Sequence, residues 1–247
     1  MIEAILFDFN ATLIRSRTWI ELEVRDLPRA AFAHLASQGH IRLLNGNQLA
    51  KAEAIFLAAR ESSNLTNVET SHLEDLTAMV EALGLGAQVP PALVEETVAT
   101  LHRRCIPTVE LLPNVAETLR QLQDIGLRLG IISNAAYSPF LTWTLEHFEI
   151  LNYFEDVVVS ADVQTRKPGL EIFHIALRRM RLQPATTVYV GDDYVKDVIA
   201  ARQFGLRPIW YQPAGDAAIP DDGPSPDAIV ADHAEIPPLA RQWRDDA

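Results

Sequence analysis

The amino-acid sequence predicts an α/β protein with a doubly wound, mostly parallel sheet and an inserted all-helical segment. From position 107 onward, short runs of buried residues alternate with helical segments, and this alternation is typical of right-handed β-α-β units. One further strand precedes the insertion, and no convincing strand pattern occurs between positions 15 and 105. We therefore predict a core formed by residues 1–14 and 107–247, with residues 15–106 as a separate helical segment.

Three helix-start signals mark the inserted segment. Asn47 is predicted to cap a helix. Ser71 and Glu74 have the spacing of a capping box, in which each side chain binds the backbone amide of the other residue. Pro90 and Pro91 stand where a further helix begins, since proline is favoured in the first turn.

The elements of the core follow from short apolar runs and from helical spacing. Strands are predicted at 4–7, 127–132, 157–159, 187–190, 208–211 and 228–230. Helices are predicted at 114–123, 139–147, 170–180 and 195–204. Residues 212–226 are rich in proline, glycine and aspartate, which predicts a mobile surface loop.

Composition excludes several classes of protein. Of the 247 residues, 48% are hydrophobic and 22% are charged, which is ordinary for a globular domain. A formal net charge of −12 disfavours nucleic acid and anionic lipid as partners. The single cysteine, Cys105, excludes an internal disulfide. We find neither a membrane-spanning run nor a signal peptide, and we expect a cytoplasmic protein. The oligomeric state is not predicted.

Polar residues follow four of the predicted strands. In a doubly wound sheet, ligands bind beyond the carboxyl ends of the strands. The polar residues at these ends are Asp8, Asn10, Thr12, Ser133, Asn134, Lys167, Asp192, Asp193 and Asp197. Carboxylates favour Mg²⁺, whereas lysine and hydroxyl groups favour phosphate. The seven histidines show no ligand spacing, and neither they nor the cysteine are assigned a role.

The ordered set resembles the haloacid dehalogenase superfamily, in particular its phosphatase-like branch with an inserted helical cap. Residues 5–13 (ILFDFNATL) are similar to the first motif of the family and residues 131–134 (IISN) to the second. Lys167-Pro168 is similar to the third motif, and residues 190–193 (VGDD) with Asp197 are similar to the fourth. The resemblance implies a Rossmann-like core, with residues 15–106 as the cap.

The resemblance implies a Mg²⁺-dependent phosphohydrolase that acts on a small phosphorylated metabolite. Asp8 would be the nucleophile and would form an aspartyl-phosphate. Mg²⁺ would be held by the carboxylates of Asp8 and Asp192 and by the backbone carbonyl of Asn10. Lys167 would bind phosphoryl oxygens and stabilise the transition state.

Five more residues complete the site that the resemblance implies. Ser133 would bind phosphoryl oxygens, and Thr12 and Asn134 are predicted to bind substrate with it. Thr12 would also steady the first loop. Asp193 and Asp197 would lie around the metal site and orient metal-bound water or the lysine. Each assignment has a structural alternative: a turn cap for Asp8, turn residues for Ser133 and Asn134, a solvated side chain for Lys167, and helix-start carboxylates for Asp193 and Asp197.

The sequence departs from the family pattern at Asn10, where the phosphatases usually carry a second aspartate that acts as acid and base. An amide cannot transfer this proton. Ala11 also replaces the usual glycine. Three hypotheses stay open: a slow or specialised phosphohydrolase, a metal-independent 2-haloacid dehalogenase, and a non-catalytic phosphate-binding relative.

Overall fold

A computed structural model describes residues 1–213, 219 and 223–245 of the chain. Residues 214–218 and 220–222 of the predicted surface loop lie outside the described residues. The strands are β1 Ala4–Phe7, β2 Ile14–Arg15, β3 Glu110–Leu111, β4 Arg128–Ser133, β5 Asp156–Val159, β6 Thr187–Gly191, β7 Arg207–Tyr211 and β8 Ala228–Val230. The helices are α1 Arg17–Glu21, α2 Leu27–Ser37, α3 Gly46–Thr66, α4 His72–Ala82, α5 Pro91–Cys105, α6 Val115–Asp124, α7 Pro139–His147, α8 Ser160–Val163, α9 Glu171–Met180, α10 Ala200–Phe204 and α11 Ile236–Asp245.

The chain divides into two compact units. The first comprises Met1–Arg15, Glu110–Asn134 and Phe148–Ala247, and the second comprises Ser16–Val109 and Ala135–His147. Helix α7 thus belongs to the second unit, although it follows β4 of the first. The assignment of these units as catalytic core and cap stays a prediction.

Six parallel strands form the sheet of the first unit, in the order β5-β4-β1-β6-β7-β8. This confirms the predicted doubly wound, parallel fold class. Phe7, the last residue of β1, pairs with Ile131 on one side and Val190 on the other. Because the three central strands are in this register, the residues that follow β1, β4 and β6 lie at one edge of the sheet.

Complete burial of β1 explains its uninterrupted apolar sequence, since a central parallel strand is covered on both faces. One face of the sheet packs against α9, where Phe173 and Met180 join Leu6 and Tyr189 in a buried cluster. All four residues of β1 are fully buried. The central strand therefore fixes the position of the chain where Asp8 begins.

The second unit, Ser16–Val109 and Ala135–His147, is called the helical unit below. One predicted helix start in it is corrected by the structure. Asn45, not Asn47, caps α3, because its side chain accepts the Gln48 amide while the Gln48 side chain accepts the Asn45 amide. Asn47 lies in the first turn of the helix. The predicted capping box of Ser71 and Glu74 is confirmed at the start of α4.

The predicted helix at 195–204 begins instead with a π-helical turn at Tyr194–Ile199, which leads into α10. In the part of the chain that the structure describes, no helix combines the length and apolar character needed to cross a membrane.

Candidate active site

Asp8 lies directly beyond the central strand of the sheet. Its backbone amide donates a hydrogen bond of 2.8 Å to the carbonyl of Val190, which extends the pairing of β1 with β6 by one residue. The following loop turns back at Ala11, which has a φ of 60°. This left-handed conformation favours glycine, yet the turn closes, with the Ala11 amide donating to the Ile14 carbonyl at 2.7 Å.

The Lys167 side chain binds Asp8 and, from two other segments of the chain, Tyr189 and Asp197. Its Nζ lies 2.7 Å from Asp8 Oδ1, 2.6 Å from Asp197 Oδ1 and 2.7 Å from the Tyr189 hydroxyl. The lysine is only 2% exposed. Burial by itself lowers its pKa, but Asp197 and Asp8 outweigh that effect and hold the pKa well above its ordinary value. Lys167 is therefore a buried cation fixed between two carboxylates rather than a solvated surface lysine.

The backbone of Lys167 is held by Asn134. The Asn134 side-chain amide donates to the Lys167 carbonyl at 2.8 Å, and its Oδ1 accepts from the Lys167 amide at 2.9 Å. This pair of bonds joins the end of β4 to the lysine-bearing loop. Asn134 therefore positions Lys167. Ser133, the last residue of β4, is buried at the same strand end.

Three carboxylates cluster at this edge. Asp8, Asp192 and Asp197 each offer an oxygen within 4.8 Å of the others. Burial and then repulsion from Asp8 and Asp197 raise the pKa of Asp192 to about 7, and burial raises that of Asp197 to about 6 despite Lys167. The cluster thus holds more negative charge than the lysine neutralises. Hard carboxylate oxygens in such a crowded group fit a Mg²⁺ ion.

Asp197 and Asp193 form hydrogen bonds to protein groups around this cluster. Asp197 binds Lys167 through Oδ1 and accepts the Asp193 amide through Oδ2 at 3.0 Å, so both of its oxygens have protein partners. The Asp193 side chain caps the next turn by accepting the amides of Val195 and Lys196. The carboxylates of both residues are therefore engaged in hydrogen bonds that hold the site together.

Gly191 leaves room for Asp197. A Cβ at position 191 would lie 2.4 Å from Asp197 Cγ and 2.5 Å from its Cβ. Because the Asp197 Cβ cannot move without its backbone, we expect Gly191→Ala to lower the free energy of unfolding by about 1–3 kcal/mol and to impair activity. Urea unfolding and turnover measure both effects. Gly46→Ala is the matched control, because no atom lies within 4 Å of a Cβ there; equal losses in both variants would contradict this prediction.

Two more predicted residues complete the arrangement. The Thr12 hydroxyl donates to Asp192 Oδ1 at 3.3 Å, and the residue is fully buried. Thr12 therefore links the first loop to the fourth motif. Asn10 lies between Asp8 and Thr12 in sequence, and its side-chain Oδ1 is buried without a hydrogen-bond partner among the described residues.

Sequence reasoning missed three residues that shape the site. The Tyr189 hydroxyl accepts from Lys167 and donates to the Ile132 carbonyl at 3.1 Å. The Trp210 indole and the Gln212 amide both donate to the backbone carbonyl of Asp192, at 2.8 Å and 3.0 Å. A tyrosine within a buried strand was a usable signal, because a buried hydroxyl needs a partner. Nothing in the local sequence marked the other two.

Comparisons with known proteins show the family and the fold of the chain. The family described as haloacid dehalogenase-like hydrolase matches residues 5–211. A glyceraldehyde 3-phosphate phosphatase of Methanocaldococcus jannaschii is 28% identical over 207 residues, which cover 83% of each chain.

Two solved structures share the fold. A 2-haloacid dehalogenase from Pseudomonas syringae pv. Tomato DC3000 is 23% identical, with a TM-score of 0.73 over 98% of this chain and 100% of that one. A HAD phosphatase from Thermococcus onnurineus is 22% identical, with a TM-score of 0.66 over 97% and 98%. Because their described activities differ, the shared fold does not discriminate between phosphatase and dehalogenase.

Proposed function

This chain belongs to the haloacid dehalogenase-like hydrolases, and we propose that it is a magnesium-dependent phosphohydrolase that acts on a small phosphorylated metabolite. The observation that carries the proposal is the arrangement of Asp8, Asp192 and Asp197 around the buried Lys167. Three carboxylates beside one lysine suit a metal cation together with an anionic substrate.

The charge of the site favours phosphoryl transfer over displacement of a halide from carbon. A halide leaves without protonation and without a metal, so a dehalogenase has no need for a third carboxylate near its nucleophile. Burial and repulsion from Asp8 raise the pKa of Asp192 to about 7, so an ionised Asp192 beside Asp8 is unfavourable unless a cation balances it. The glyceraldehyde 3-phosphate phosphatase relative supports the same choice.

In the proposed reaction, a carboxylate oxygen of Asp8 attacks phosphorus while the bond from phosphorus to the leaving oxygen breaks. Lys167 orients the Asp8 carboxylate and offers its charge to the phosphoryl oxygens, and Ser133 at the neighbouring strand end would bind them as well. Water then hydrolyses the aspartyl-phosphate, which releases phosphate and restores Asp8. Mg²⁺ held by Asp8, Asp192 and the Asn10 backbone carbonyl would offset the repulsion between the nucleophile and the phosphate.

Asn10 limits the chemistry of the proposed reaction. Its amide cannot give a proton to the leaving oxygen or take one from the attacking water. We therefore propose that the enzyme is slow on ordinary phosphate esters and prefers substrates such as acyl phosphates, whose leaving group needs little protonation. The same residue favours a second candidate, a phosphate-binding relative that does not turn over.

A panel of phosphate esters, acyl phosphates and 2-haloacids, assayed with Mg²⁺ and with a chelator, tests the proposal. We expect phosphate release from at least one substrate class, lost when Mg²⁺ is removed and restored when it is returned. Chelator-resistant halide release would establish the dehalogenase instead. Phosphate binding without turnover of any substrate would establish the binding relative.

A further inference from the structure

A second group of metal-ligand side chains lies inside the helical unit. Glu23, His72 and His102 each offer one ligand atom, and these atoms lie within 4.8 Å of one another. Both histidines are fully buried, and the glutamate is 9% exposed. The three residues stand far apart in the sequence, which is why spacing along the chain did not reveal them.

His102 directs a ring nitrogen toward this group. Its Nδ1 lies 2.9 Å from the Val98 carbonyl, and a carbonyl only accepts, so Nδ1 carries a proton. Its Nε2 lies 3.6 Å from Glu23 Oε1 and has no hydrogen-bond partner among the described residues. Metal-ligating histidines typically donate their other ring N–H to such a carbonyl, which fixes the ring.

His72 is also unsatisfied. Neither of its ring nitrogens has a hydrogen bond of normal geometry to a described residue. Burial lowers the pKa of His72 to about 3, although Glu23 opposes this shift. A histidine binds a metal through an unprotonated ring nitrogen. Two unpaired ring nitrogens in a buried site are costly unless something binds there.

Glu23 supplies a fixed buried anion. Its Oε1 accepts from the Trp19 indole at 3.1 Å, and its Oε2 accepts from the Ala136 amide at 2.9 Å. Burial opposes ionisation, but the two imidazoles and the Ala136 amide outweigh it and lower the pKa of Glu23 to about 2. The carboxylate is thus charged and oriented from outside the group.

Arg60, which acts electrostatically on His72, is paired with carboxylates outside this group. Arg60 is paired with Glu69 at 3.1 Å and with Asp75 at 2.7 Å. Among the described residues, the group therefore consists of one carboxylate and two imidazoles, without a lysine or arginine of its own.

We propose that Glu23, His72 and His102 form a binding site for one divalent transition-metal ion, with Zn²⁺ as the best chemical fit. Two imidazoles and one carboxylate are a common zinc ligand set. With metal–ligand bonds of about 2.0–2.1 Å, tetrahedral ligands lie roughly 3.3 Å apart, close to the 3.6 Å between His102 Nε2 and Glu23 Oε1. The site is independent of the proposed phosphatase chemistry.

Zinc retention by the full-length protein tests the proposal. Protein stripped with a chelator is loaded with Zn²⁺ in the presence of excess Mg²⁺, which competes for the proposed carboxylate site around Asp192. The protein is then desalted and analysed for metal. We expect one zinc per chain, and a loss of zinc affinity of about tenfold or more in Glu23→Gln and His102→Gln. His40→Gln, at an exposed position of the same unit, is the control and should retain the zinc.

A second measurement covers the case in which the variants fail to fold. Co²⁺ bound to the wild-type protein under the same conditions should show the intense visible absorption of a tetrahedral site, and Zn²⁺ should displace it. Zinc should also raise the wild-type melting temperature, since a ligand that binds only the folded state stabilises it. Absence of the Co²⁺ bands, or equal zinc content in wild type and a folded Glu23→Gln variant, overturns the proposal and leaves a metal-free polar network.

Discussion

Replacing Asp8 by asparagine is expected to lower phosphatase turnover by about 10⁴-fold or more, because an amide cannot act as the nucleophile of the proposed reaction. The substitution keeps the shape of the side chain. It also leaves Lys167 with Asp197 and Tyr189 as partners. Steady-state phosphate release measures the loss. Acid quenching followed by mass spectrometry should detect a phosphorylated Asp8 in the wild type and not in the variant.

The matched control for this prediction is Asp162→Asn, which makes the same chemical change at an exposed position of α8. It should retain wild-type turnover. Thermal unfolding of Asp8→Asn should stay cooperative, which separates a lost nucleophile from a lost fold. Turnover within tenfold of the wild type would rule out Asp8 as the nucleophile, and the proposed function would then fail.

Replacing Asn10 by aspartate is expected to raise phosphatase turnover by about 10²–10⁴-fold, the range typical of a positioned general acid and base. The position follows Asp8 by two residues in the loop beyond β1, and its side-chain oxygen has no hydrogen-bond partner among the described residues. A carboxyl group there would be free to exchange a proton. The gain should be large for esters with a poor leaving group and small for acyl phosphates.

Comparison of kcat for the two substrate types measures this difference in gain. Asn152→Asp introduces the same change at an exposed position of the same unit and should leave both rates unchanged. A uniform gain on all substrates would contradict the acid–base explanation. No gain at all would indicate that the site binds phosphate without the machinery for turnover.

The sequence by itself determined the fold class and the edge of the sheet at which the candidate site lies. Strand and helix patterns are local, because side-chain periodicity and capping depend on neighbouring residues. The uninterrupted apolar run of β1 predicted a buried central strand. Polar residues at the strand ends then predicted that Asp8, Lys167 and Asp192 lie close together, as the structure places them.

Only the tertiary structure decided which side chains form hydrogen bonds with one another. Asn134 was predicted to bind substrate, which stays a prediction, and the structure adds that its side chain binds the backbone of Lys167. Asp193 was predicted beside the metal, and its carboxylate caps the following turn. Tyr189 was not predicted at all. The contacts of Asn134 and Tyr189 join separate segments of the chain, and the Asp193 carboxylate has competing donors. Packing decides which of these contacts form.

The group of Glu23, His72 and His102 shows the same limit most clearly. Its members come from three separate segments of the helical unit, and only the packing of those segments brings their ligand atoms within 4.8 Å. Local sequence fixes the face of a helix on which a side chain stands. It does not fix which distant side chain that face will meet, because that depends on how complete helices pack against one another.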